Sequence, residues 1–126
     1  MSSGEVEGWP HNIWHPQMSM HVGASQESIL QTLVDCLNGA GYRVKTRDDH
    51  GFRAQRVDWL DRLLLEGGTT VLAVRAQGAD VFVSVEKGAV EGGGRRRAAR
   101  GLSAAVEEFR RRGALVQTTE WGPPPP

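Results

Sequence analysis

Two segments of the chain carry apolar residues at the spacing of one face of an α-helix. The first runs from Ser25 to Gly39, and its apolar positions follow i, i+1, i+4, i+5 and i+8; they are Ile29, Leu30, Leu33, Val34 and Leu37. The Ser25 hydroxyl can cap the first turn, and Asn38 with Gly39 favours a helix end. The pattern predicts an amphipathic helix that packs one side on a sheet.

The second helical segment spans about residues 95–112. Its apolar stripe consists of Ala98, Leu102, Ala105, Val106 and Phe109. Glu107 and Glu108 stand four residues before Arg111 and Arg112, an order that stabilises a helix. We therefore predict a second, longer helix that ends at Gly113.

Strand patterns fill the segments before and between these helices. Residues 17–22 alternate polar and apolar side chains, which predicts a short strand. Residues 42–57 alternate on both sides of the turn sequence DDHG, which predicts a hairpin with Gly51 in its turn. Within this hairpin Arg43, Lys45 and Arg47 are expected to form one outward basic stripe.

A second hairpin is predicted over residues 69–87, with its turn at QGAD, but its apolar residues form runs. Residues 71–74 and 81–83 are consecutive apolar positions. Such runs are typical of strands that are covered on both faces. Because two helices can cover only one face of a sheet, we expect a second cover from the N-terminal arm, a further helix or another subunit.

The complete pattern predicts an α+β fold, an antiparallel sheet of four to six strands with two main helices on one face. A short apolar helix is expected over residues 58–67, between the hairpins, and a last edge strand is expected near residues 114–121. The element order β-α-β-β-(short α)-β-β-α-β over residues 17–120 resembles that of small helix-grip modules. We divide the chain into an aromatic and Pro-containing arm (1–16), one domain (17–121) and a polyproline tail (122–126).

Composition narrows the classes of function. The chain has 126 residues and 39% hydrophobic residues, enough for one packed core. Fifteen Lys and Arg balance fifteen Asp and Glu, so no overall basic field gathers nucleic acid or membranes. The single cysteine, Cys36, excludes an internal disulfide. The N-terminal residues lack a secretion signal and no apolar run has the length of a membrane span, so a cytoplasmic location is expected.

The stretch from Gly8 to His21 combines His, Met and Trp, and the first question is whether it binds a metal. His11 and His15 are four residues apart, but the neighbouring prolines disfavour a helix, and on extended backbone they are roughly 13 Å apart. Met20 and His21 are adjacent and should face opposite sides of a strand. We therefore predict no metal site and no cofactor.

The tryptophans favour docking instead. None of the four falls within the predicted sheet or the two main helices, and Trp is frequent at binding hot spots. The predicted partner-binding residues are Trp9, Trp14, Trp59, Leu60, Leu63 and Trp121. The arm packing on its own sheet and the arm packing on a second subunit, as a homodimer, are both left open by the sequence.

An arginine cluster gives an alternative function. The glycine-rich stretch 92–94 precedes Arg95, Arg96, Arg97 and Arg100 at the expected start of the last helix. Helix N-termini and guanidinium groups both bind anions, so a nucleic-acid backbone or an acidic lipid head group is a possible ligand. The loop has neither a Walker A nor a dinucleotide-binding pattern.

Catalytic patterns are weak. Residues 48–50 (Asp-Asp-His) fall where a hairpin turn favours Asp, and Cys36 falls near the apolar stripe of the first helix. The leading hypothesis is therefore a non-enzymatic protein-interaction module that self-associates through its aromatic arm and apolar sheet face. The alternatives are the anion-binding domain and a helix-grip pocket for a small apolar ligand, with the short helix as its lid.

Overall fold

The computed structural model describes residues 6–10, 13, 15–57, 69–88 and 92–123. In chain order its elements are β1 (Gln17–Val22), α1 (Gln26–Gly39), β2 (Tyr42–Arg47), β3 (Gly51–Val57), β4 (Thr69–Gln77), β5 (Asp80–Lys87), α2 (Gly92–Arg111) and β6 (Val116–Thr118). This confirms the predicted α+β class with two main helices. The short helix expected over residues 58–67 lies outside the described residues.

The strands form one six-stranded sheet in the order β2-β3-β4-β5-β1-β6, and every neighbouring pair is antiparallel. β2 to β5 form a meander of consecutive hairpins. β1 then lies beside β5, and the short β6 covers the other side of β1 as the predicted edge strand. The first strand of the chain therefore lies inside the sheet rather than at its edge.

Both helices form where the apolar stripes predict them. The Ser25 hydroxyl accepts a hydrogen bond from the Ser28 amide, which caps α1. All five residues of the α1 stripe and all five of the α2 stripe are buried. α2 packs on α1 at Gly101, where an added Cβ would lie against Leu37 and Ala40. Burial of these stripes fixes the helices over one face of the sheet.

α2 begins at Gly92, a turn earlier than predicted, and its glycines allow a close approach to the sheet. A Cβ on Gly94 would overlap the Oγ1 of Thr70 on β4. The Gly94 carbonyl accepts a hydrogen bond of 2.8 Å from the Tyr42 hydroxyl. The glycine-rich stretch therefore seats the helix start on β2 and β4.

Tyr42 gives this contact a pH dependence that can be measured directly, because it is the only tyrosine in the chain. Burial raises the pKa of Tyr42, although the nearby Arg56 opposes this shift. The unfolded chain releases the phenol proton near pH 10 and the folded chain retains it. The contribution of Tyr42 to stability is thus complete below about pH 10 and is lost as the pH rises further.

We expect tyrosinate absorbance to appear near pH 10 in denaturant but only at higher pH, together with unfolding, in the native chain. The measurement is an alkaline titration followed by ultraviolet absorbance and circular dichroism. A normal tyrosinate transition in the folded chain would show that the hydroxyl is not enclosed by α2.

The described part of the N-terminal arm packs along α2. Ser103 Oγ accepts a hydrogen bond from the Val6 amide and donates one to the Val6 carbonyl, and Arg95 donates to the Trp9 carbonyl. On a helical projection Arg95 and Ser103 lie on one side of α2, roughly opposite Gly101, which contacts α1. The arm therefore covers the sheet on the same face as the helices and adds a third element to that layer.

Candidate interaction surface

The opposite face of the sheet is built by strand alternation. On β4 and β5 the residues Leu72, Val74, Val81, Val83 and Val85 point toward the helices and are at most 1% exposed. The residues between them point the other way. We call this surface the open sheet face; its outward residues include Ser19, His21, Arg43, Arg53, Gln55, Val71, Ala73, Arg75, Asp80, Phe82, Ser84, Glu86 and Lys87.

The two apolar runs therefore alternate in burial. Val71 and Ala73 are half-buried, and Phe82 is 46% exposed. Within the described residues the arm does not supply the second cover expected for these strands; the short helix lies outside those residues, and cover by a second subunit stays a prediction. The outward apolar side chains are few, and the open sheet face surrounds them with Arg, Gln, Ser and acidic residues, which water solvates.

Phe82 lies near the centre of the open sheet face. It stands opposite Arg75 on β4 and opposite Ser19 on β1. A shallow depression of about 390 Å³ lies on the β2–β5 side, lined by residues that include Arg53, Ala73, Arg75, Ser84 and Glu86. A second depression of about 260 Å³ lies on the β1 and β6 side and is lined in part by Phe82 itself. An exposed aromatic ring therefore stands between two concave regions.

The acidic residues of this face already have hydrogen-bond partners. Arg53 Nε lies 2.6 Å from Glu86 Oε1, and His21 Nδ1 lies 2.9 Å from Asp80 Oδ1. Within the part of the chain that the structure describes, Arg75 makes no ion pair or hydrogen bond, and neither do Arg43 and Lys87 on the same face. The charge of the open sheet face that is left without a partner is therefore positive.

A β-bulge changes the predicted basic stripe of the first hairpin. The register of β2 against β3 shifts between Val44 and Thr46, so Lys45 is the extra residue. Beyond it the alternation is inverted, and Arg47 donates a hydrogen bond to Gln31 on α1. Arg47 therefore lies on the helix side of the sheet, and the expected stripe of Arg43, Lys45 and Arg47 is wrong.

Two of the tryptophans predicted to bind a partner lie within this chain's own packing. Trp9 is 0% exposed and contacts Trp121 edge to face, with ring centroids 5.2 Å apart at 73°. Trp121 is half-buried, and its Nε1 donates to the Glu7 carbonyl. For Trp9 this matches the intramolecular alternative left open above. Trp14, Trp59, Leu60 and Leu63 lie outside the described residues.

The arginine cluster does not converge on the start of α2. The Arg95 side chain lies against Gly8 in the arm, and Arg97 lies against Gly41 on the other side of the helix. Arg96 and Arg100 are exposed and point away from the sheet. The four guanidinium groups are thus distributed around the helix, and within the described residues only Arg95 among them forms a hydrogen bond, at 3.2 Å to the Trp9 carbonyl.

The residues considered for catalysis, Asp48 in the hairpin turn and Cys36 on α1, lie in surroundings that the fold itself explains. Asp48 accepts hydrogen bonds from the amides of His50 and Gly51, and the His50 amide is the main cause of its lowered pKa. Cys36 is half-buried, and desolvation raises the pKa of its thiol. Both residues thus have the surroundings expected of a turn and of a helix packed in a core.

The potential metal ligands near the N-terminus are separated. Met18 and Met20 are in the core, whereas His21 is on the open sheet face. Among the described residues there is no group of three His, Cys, Asp or Glu that could hold a metal ion. No described helix is both long and apolar enough to cross a membrane.

Sequence reasoning missed Phe82 and Arg75. Phe82 stands between two valines in a strand, where consecutive apolar residues conceal which of them point outward. The turn at Gly78, which has a φ of 62°, sets the register that places Arg75 opposite Phe82.

Neither the protein-family models nor the curated proteins include a match to this chain.

Proposed function

We propose that this chain is a non-enzymatic interaction module that binds a protein partner across the open sheet face. The observation that carries the proposal is the exposure of Phe82, at 46%, near the centre of that face. Aromatic residues that a partner can desolvate are frequent hot spots of protein binding. Val71 and Ala73 enlarge the apolar area, and the polar residues around them match the rim of an interface.

The packing on the helix side of the sheet favours a binding site on the protein surface and disfavours an internal pocket for a ligand. Phe109 and Trp9 fill the space beneath the helix layer and are 1% and 0% exposed. A small apolar ligand would have to displace such side chains from a close-packed core. The open sheet face needs no rearrangement before it binds.

The charges favour a different protein over a second copy of this chain. In a face-to-face homodimer the cations without partners, Arg43, Arg75 and Lys87, would be brought toward the same cations of the other copy. Like charges across an interface oppose association. Trp9, the residue of the arm expected to support self-association, is enclosed in its own core.

Photo-crosslinking tests the proposal. A photoreactive phenylalanine analogue is placed at position 82 and, as the control, at Leu115, which is 67% exposed and lies before β6. In native cell extract we expect a discrete adduct with another protein from position 82 and none from position 115. The purified adduct partner should bind Phe82→Ser on the order of tenfold or more weakly than the intact chain, and Leu115→Ser with unchanged affinity.

Equal adducts from both positions, or equal affinity of Phe82→Ser and the intact chain, would contradict the proposal. Light scattering of the purified chain adds a separate outcome. A dimer that dissociates in Phe82→Ser and persists in Leu115→Ser would make a second copy, rather than another protein, the occupant of this face.

A further inference from the structure

The open sheet face also indicates the chemistry of its partner, an inference that rests on the function proposed above. Around Ala73 the strand register places three side chains in a fixed order. Arg53 lies opposite Ala73 on β3, Ser84 lies opposite it on β5, and Arg75 follows two residues later on the same face of β4. The small side chain of Ala73 thus forms the floor of the 390 Å³ depression.

The walls of this depression include the guanidinium groups of Arg53 and Arg75 and the Ser84 hydroxyl, together with the carboxylates of Asp48 and Glu86. Arg75 lies opposite Gly51, which has no side chain to cover it, and within the described residues its guanidinium makes no ion pair. Arg53 already holds Glu86 through Nε and Nη2. The Arg75 guanidinium is therefore available to a ligand, and the Arg53 guanidinium is kept in place by its ion pair with Glu86. Guanidinium groups and a Ser hydroxyl together suit an incoming carboxylate, which accepts several hydrogen bonds at once.

Phe82 lies diagonally across from this floor. It is two residues before Ser84 on β5, which places it about 7–8 Å from the Ala73 position. Side chains two residues apart on one face of an extended segment are about 6.7 Å apart. An extended segment can therefore set one side chain over Ala73 and the next side chain of the same face against Phe82.

We infer that the partner presents an extended acidic segment in which a carboxylate side chain binds over Ala73, between Arg53 and Arg75, and an apolar side chain two residues away packs on Phe82. The positive charges of Arg43, Arg75 and Lys87 outnumber the single negative charge of Asp80 once Glu86 is paired with Arg53, and this excess complements such a segment.

A single-stranded nucleic acid is a poorer match to the same face. The apolar neighbours of Phe82 are Val71 and Ala73, whereas stacking sites for bases use several aromatic or Arg planes. The chain as a whole has a net charge of zero, without the basic excess typical of nucleic-acid binders.

Fluorescence anisotropy with synthetic probes tests the inference on the full-length chain. The main probe is a labelled peptide of about ten residues that repeats Glu-Ser-Leu-Ser, so that Glu and Leu stand two residues apart on one face of the extended segment. One control peptide has Gln in place of Glu and another has Ser in place of Leu. A thymine oligonucleotide of similar length represents single-stranded nucleic acid.

We expect the Glu and Leu peptide to bind more tightly than both control peptides and the oligonucleotide. Its affinity should fall on the order of tenfold in Arg75→Ser and in Phe82→Ser, and less in Arg75→Lys, which keeps the charge but loses the forked geometry. Arg96→Ser, an exposed arginine on α2, is the matched charge control and should bind normally. Raising the salt from about 50 to about 300 mM should weaken binding severalfold.

Three results would overturn the inference. They are equal binding of the Gln and Glu peptides, tighter binding of the oligonucleotide, and a loss in Arg96→Ser that matches the loss in Arg75→Ser. If Phe82 still forms specific cross-links in cell extract while Arg75→Ser and salt have no effect, the open sheet face remains the binding surface and only the acidic character of the partner is wrong.

Discussion

Replacing Trp9 with Ala should destabilise the fold by about 3–5 kcal/mol, the range found for large aromatic residues removed from a core. Trp9 is 0% exposed, although it lies in a segment of the chain with no regular secondary structure. Its ring meets Trp121 edge to face, an arrangement that adds to the hydrophobic gain. Val6 is buried in the same cluster, so the arm is held at more than one point.

Urea denaturation followed by circular dichroism measures this effect without relying on tryptophan fluorescence. Leu115→Ala is the matched control, because Leu115 is 67% exposed and its loss should change the free energy of unfolding by less than about 0.5 kcal/mol. A loss below about 1 kcal/mol in Trp9→Ala would mean that the arm is only loosely attached to the domain.

The two main helices were predictable because their evidence is local. The five stripe residues of α1 are 0–7% exposed, and the Ser25 cap forms as its sequence position indicates. A helix repeats about every 3.6 residues, so apolar residues at that spacing in the sequence lie on one face of the folded helix. The antiparallel hairpins were predictable for the same reason, because their turns occur between adjacent strands.

The open sheet face was harder to predict because its information is not local. In a run such as Val81, Phe82 and Val83 every residue is apolar, and only the pairing with neighbouring strands decides which one faces the helices. The single residue inserted at Lys45 also inverted the orientation of Arg47. A one-residue change of register moves a side chain to the other face, and hydropathy alone does not record it.

The composition of the N-terminal arm predicts that it covers apolar surface, but not which residues it contacts. Its tryptophans indicated that it covers apolar surface, and Trp9 does so. No local pattern indicates which face the arm covers, because this depends on contacts with distant residues. Ser103 lies 97 residues along the chain from its partner Val6, and Arg95 lies 86 residues from its partner Trp9. Covering the helix side leaves Phe82 and Arg75 on the open sheet face available, so we propose that the binding site lies there and not in the arm.

Replacing Gly94 with Ala should destabilise the fold by about 2–4 kcal/mol, combining the cost of overpacking with the loss of one buried hydrogen bond. The added methyl group would overlap Thr70 Oγ1, so the start of α2 would have to move away from β4. That movement would also lengthen the bond from the Tyr42 hydroxyl to the Gly94 carbonyl, now 2.8 Å. Thermal and urea unfolding of the variant give the change in free energy.

Two further variants separate this contact from the general effect of replacing glycine in a helix. Gly39→Ala, at the last position of α1 with open space around it, should be neutral or stabilising by up to about 1 kcal/mol. Thr70→Ala removes the overlapping oxygen, so the double variant with Gly94→Ala should be less destabilised than the sum of the two single variants. Strictly additive changes in the free energy of unfolding would mean that Gly94 and Thr70 are not in contact. The glycine-rich start of α2 would then not be needed for a close approach of the helix to the sheet.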